Sequence, residues 1–101
     1  MDVDSSLLSN SIVVWTGWGR LSWPSRDEAR LVEEFGSELA ASLLPEIRKL
    51  EDDFYESDAR HTAIDLREMG ERASGRFRTR HPELAEEAIR ALAWCYTYDY
   101  K

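Results

Sequence analysis

The chain has 101 residues, 20 of them acidic and 13 basic, for a formal net charge of −7. That length suits one domain with one core and excludes two. The charge excludes general affinity for DNA, RNA or an anionic membrane surface and favours a cationic partner. Cys95 is the single cysteine, so no disulfide forms within the chain and a reducing compartment is expected. The N-terminal Met-Asp-Val-Asp is acidic where a secretory signal is basic, and no run of about eighteen apolar residues occurs. The expected location is the cytoplasm, away from membranes.

Taken in order, residues 1–11 mix Asp, Ser and Asn with a Leu7-Leu8 pair that has no sustained period. They are expected to form a frayed leader within a single 1–101 domain. Ile12 to Trp15 is β-branched and aromatic, Gly17 and Gly19 punctuate it, and Arg20 to Trp23 reads as a return strand stopped by Pro24. The expectation is a short N-terminal β-hairpin or aromatic-rich loop. A lone hairpin is marginal in water, and Cys95 to Tyr100 has the alternation to add a third strand.

From Ser25 to Phe54 the apolar residues Leu31, Val32, Phe35, Leu39, Leu43, Ile47, Leu50 and Phe54 keep helical time. Their spacings of three and four place them on one stripe. Ser25 and Glu28 have capping-box spacing. Thirty helical residues would span about 45 Å at about 1.5 Å per residue, whereas a domain of this size is about 34 Å across. A bend is therefore expected, with Pro45 as its agent and Gly36 as a second weak point.

Ser57 or Asp58 can cap a second helix with Ala59, Ala63, Leu66, Met69, Ala73 and Phe77 inward, ending near Gly75. Pro82 suits the first position of a third helix that buries Leu84, Ala85, Ala88, Ile89 and Leu92. The expected fold is mainly α: a small three-helix bundle with a kinked long first helix.

Glu51, Asp52, Asp53, Glu56 and Asp58 crowd five carboxylates into eight residues. Anions at a helix C-terminus oppose the dipole and one another, so the cluster is a candidate surface for a basic protein. Trp15, Trp18 and Trp23 fall within nine residues and are candidate interface anchors. Charge is segregated: residues 1–58 hold 13 acids and 5 bases, residues 59–81 hold 3 acids and 6 bases, and residues 82–101 hold 4 acids and 2 bases. Arg72, Arg76, Arg78 and Arg80 flank Phe77 in the manner of a nucleic-acid patch, but in so acidic a chain pairing with the first helix is the favoured reading. Asp58, His61 and Asp65 share helical spacing that suits a weak metal site, less favoured than a surface ion pair. Cys95, in an apolar segment, reads as a small core residue.

No catalytic triad, phosphate-cradling glycine loop or zinc spacing is present, so no cofactor, metal or enzymatic activity is expected. The residues favour a small acidic protein-binding module, an immunity- or inhibitor-type protein that occludes a basic toxin, nuclease or other protein. The alternatives are a structural or regulatory subunit that homodimerises through its helices, and a small metal-dependent enzyme or metal-binding module.

Overall fold

Asp4 starts the first helix: its carboxylate accepts from the Ser6 amide at 2.7 Å, and helix α1 runs Ser5–Thr16. The computed structural model describes residues 4–101, so residues 1–3 of the expected leader lie outside the described residues. The remainder of that leader is helical, and so is the Ile12–Trp15 run expected to be a strand. Leu8, Ile12 and Trp15 recur at helical spacing, and Ser9, Ser11 and Thr16 share the buried side. Each of these small hydroxyls finds a partner: Ser11 donates to the Leu8 carbonyl, Thr16 to that of Ile12, and Ser9 accepts from the Ala85 amide. A face of Ser and Thr with Ile and Trp is nearly invisible to a hydrophobicity period, yet it buries well once its hydroxyls are satisfied. The helix ends at Gly17, whose φ of +84° is left-handed; a Cβ there would collide with the Leu21 side chain.

The long helical stripe is two helices. Helix α2 spans Glu28–Phe35 and helix α3 spans Ser37–Tyr55. The break is Gly36, with φ +85° and ψ 157°, a conformation outside any helix and open chiefly to glycine. Pro45 lies inside α3, which continues through it. Proline costs one backbone bond but keeps a helical φ, and Ala41 and Pro45 face solvent, where water can serve the freed carbonyl. The bend expected at Pro45 is thus a break at Gly36. The start also differs from the Ser25–Glu28 expectation: Asp27 is the N-cap and accepts from the Ala29 amide at 2.9 Å.

Helix α4, Ala59–Thr62, is a single turn, and helix α5 runs Leu66–Arg80 from an Asp65 cap that accepts from the Glu68 amide at 2.8 Å. It continues past Gly75, burying Met69, Ala73 and Phe77 as expected, whereas Leu66 is exposed. Helix α6 runs Glu86–Asp99, so Pro82 belongs to the preceding turn and the expected third strand at Cys95–Tyr100 is mostly helix. Its first amides lack a side-chain cap of their own segment, and Ser9 of α1 supplies an acceptor one residue before the helix. Among the described residues there is no strand, so five helices and one helical turn replace the three helices and hairpin.

The helices surround one core. Helix α6 lies against both α1 and α5, and α2 folds onto α3. A Cβ on Gly70 would come within 3.2 Å of the Thr97 methyl, so glycine lets α5 and α6 approach closely. Phe54 stacks at 5.1 Å from Phe77 and 5.6 Å from Tyr96. The Tyr96 hydroxyl, fully buried, donates to the Ser57 carbonyl at 2.9 Å and accepts from the Arg60 amide at 3.0 Å, tying α6 to the α3–α4 turn. The radius of gyration is 13.2 Å, as expected for a chain of this length.

Candidate functional site

The five-carboxylate cluster is divided by the fold. Asp53, whose side chain is 15% exposed, receives hydrogen bonds from Arg80 at 2.9 Å and from His81 Nε2 at 2.7 Å, while Arg76 donates to its backbone carbonyl at 2.8 Å. The Arg80 bond holds the Asp53 carboxyl below its ordinary value; burial opposes this and His81 reinforces it. Glu51 pairs with Arg26. Glu56 lies 3.7 Å from Arg76 and stays mostly exposed. Asp52 and Asp58 are exposed and outside every ion pair among the described residues. What remains open to a visitor is Asp52, Glu56 and Asp58.

Arg26 fastens the loop before α2 to the C-terminal parts of α3 and α6. Besides Glu51, its guanidinium donates to the Tyr55 hydroxyl at 2.6 Å and to Asp99 at 2.9 Å, and Tyr55 donates to the same Asp99 oxygen at 2.5 Å. Burial, joined by the bond to Asp99, pushes the Tyr55 phenol far above its usual range. Cys95 lies in the same region, fully buried, and burial pushes its thiol up to about 12. A thiol so placed is protonated at neutral pH and a poor nucleophile. The group reads as a clamp between α3, α6 and the loop.

The tryptophans do not form one patch. Trp15 is a core residue at 4% exposure, Trp18 packs edge-on against Trp94 at 5.3 Å, and Trp23 is 61% exposed beside the exposed Leu21 in the loop between α1 and α2. Only Trp23 presents most of its ring to solvent. Trp18 and Trp94 line a cleft of about 590 Å³ between α5 and α6, where Arg78 is paired with Glu86 and Arg67 with Glu71.

The basic segment is similarly committed. Arg72 pairs with Glu68 at 2.6 Å, Arg76 and Arg80 with the acidic end of α3, and Arg78 with Glu86, while Phe77 is core. This leaves no free row of arginines with an accessible aromatic between them. Asp65 is engaged as the α5 cap, and among the described residues no group of three or more His, Cys, Asp or Glu is placed to hold a metal ion. No helix among the described residues is long and apolar enough to cross a membrane.

The larger unneutralised group lies elsewhere. Glu28, Glu33, Glu34 and Glu38 are exposed on α2 and the first turn of α3, and none is in ion-pair contact with a described Lys, Arg or His. Glu28 and Glu38 occupy first turns, where the helix dipole favours them. Glu33 and Glu34 occupy the last turn of α2, where it does not. Arg30, the one base between Asp27 and Ile47, turns inward and donates to the carbonyls of Val14 at 2.9 Å and Trp15 at 2.7 Å, and to that of Ser25. Sequence reasoning passed over these glutamates because they read as the solvated side of an amphipathic helix. The available signal was that residues 28–38 carry four glutamates and one arginine.

Comparison with known families, curated proteins and solved structures returns no match for this chain.

Proposed function

We propose that the protein is a small acidic protein-binding module of the immunity or inhibitor type, which neutralises a basic protein by covering part of its surface. The observation that carries this reading is the contrast between two groups of carboxylates. Glu51 and Asp53 are matched by Arg26, Arg76, Arg80 and His81, whereas the glutamates of α2 and early α3 are in ion-pair contact with no cation among the described residues. A cationic surface would supply what the fold leaves out.

The physical benefit is rate and selectivity. An exposed field of one sign steers an oppositely charged protein into encounter and repels partners of like charge. Affinity then depends on apolar anchors that become buried on contact, and Trp23 with Leu21 offers one. Asp52, Glu56 and Asp58 extend the negative surface at the opposite end of α3. Inhibition by occlusion needs no chemistry from this chain, in keeping with its buried, protonated thiol and engaged arginines.

The test is capture from an extract of the source cells on immobilised protein at low ionic strength. The reading expects a basic protein whose own activity falls when it is held and which elutes as salt rises from about 50 to 200 mM, because screening shortens the reach of exposed charges. Retention that ignores salt, or a captured protein that keeps full activity, would contradict it.

A further inference from the structure

The break at Gly36 opens a notch beside it. Leu7 from α1, Phe35 from α2, and Leu39 and Ser42 from α3 line an open depression of about 840 Å³, with Glu38 at its edge. Leu7, Phe35 and Leu39 are each only partly buried against the core, so apolar surface is left facing the depression. Gly36 contributes an exposed stretch of backbone: a Cβ built there would meet nothing within 4 Å. Two of the walls, α2 and α3, are joined through the single residue Gly36, and α1 packs against both, so the shape is set before any visitor arrives.

The charge around the notch is of one sign. Glu38 lines it, Glu34 adjoins Phe35, Glu33 precedes that, and Asp4 lies three residues before Leu7. Among the described residues no Lys, Arg or His lines it, and Arg30 is turned toward backbone carbonyls. We infer that this notch is the primary docking site for a short exposed segment of a basic protein, in which one large apolar side chain enters between Leu7, Phe35 and Leu39 while flanking Lys or Arg side chains meet Glu33, Glu34 and Glu38. The inference rests on the acidic protein-binding reading and locates its contact.

Charge complementarity selects this occupant over the others. A second copy of the chain would bring a net charge of −7 to a negative rim, and an anionic membrane or nucleic acid would be repelled likewise. The depression is within the size range of sites that bury small molecules, ample for one aromatic ring. An apolar ring alone would gain only burial, and a cationic chain alone would gain only screened attraction. Together they account for both halves of the site.

The experiment uses two dye-labelled synthetic peptides of lysines, one with a central phenylalanine and one with alanine in its place, titrated against the full chain at low ionic strength. Anisotropy gives affinity and amide NMR shifts give position. The inference expects the phenylalanine peptide to bind about tenfold more tightly, with the largest shifts at Gly36 and Leu39. Ser42→Arg, a substitution at an exposed position, should abolish that difference. Equal affinity of the two peptides, or no effect of Ser42→Arg, overturns the notch and leaves the acidic module standing. Failure of both peptides to bind overturns the module with it.

Discussion

Asp53 near the end of α3 and Arg80 at the end of α5 are joined side chain to side chain at 2.9 Å, with His81 on the same carboxylate at 2.7 Å. The contact turns what looks in sequence like an acidic docking cluster into a fastening between two helices. Asp53→Asn should destabilise the fold by about 1–2 kcal/mol at neutral pH, more than the usual exposed ion pair because the carboxylate is mostly shielded. Glu56→Gln, at the exposed edge of the same cluster, should cost less than about 0.5 kcal/mol. Urea denaturation of both variants checks the difference.

The same carboxylate sets a pH dependence. Its folded-state pKa lies below the unfolded value of 3.8, so the unfolded chain binds the proton first as pH falls. The stabilisation is therefore complete above the unfolded value and is lost as pH drops through it toward the lower folded value. Stability measured from pH 6 down to pH 2 should fall more steeply for wild type than for Asp53→Asn, with the two curves converging at the acid end.

Gly36 fixes the joint between α2 and α3. Because its φ of +85° and ψ of 157° suit glycine alone, Gly36→Ala should cost about 1–3 kcal/mol although the Cβ has open space. Pro45→Ala, by contrast, should be neutral or stabilising, since it restores a backbone donor within a continuous helix. Thermal unfolding of the two variants checks the assignment of the break to Gly36.

Tyr96 and Cys95 are adjacent buried groups with different roles. Tyr96→Phe removes a hydroxyl that serves Ser57 and Arg60 and should destabilise the fold by about 1–3 kcal/mol. The Cys95 thiol, pushed up to about 12 by burial, should resist a thiol-specific reagent at pH 8 and react only at the rate of unfolding. Labelling followed by mass spectrometry reads both the native protection and its loss in denaturant.

Much of the helical content was legible because Leu31, Leu43, Ile47 and Phe54, and likewise Met69, Ala73 and Phe77, keep a helical period that packing respects. Helix α1 was not, because its buried face carries Ser9, Ser11 and Thr16, whose hydroxyls are satisfied only by local carbonyls and by a distant amide at Ala85. The break at Gly36 was legible only as a second weak point behind Pro45, since the stripe keeps its phase from Leu31 across it to Leu39. The carboxylates of residues 51–58 were visible as a cluster, but their pairing depends on Arg76, Arg80 and Arg26, separated by up to 27 residues. Sequence exposes the charge; only the fold tells which charges already have partners.

The most direct measurement is the association rate between this protein and its captured basic partner, followed by stopped-flow fluorescence as salt is raised. With Glu33, Glu34 and Glu38 changed together to Gln, the rate should drop about tenfold at low salt and lose most of its salt dependence, while Asp52, Glu56 and Asp58 changed to amides should have a smaller effect. An unchanged rate in the first variant, or a wild-type rate indifferent to salt, would contradict the account.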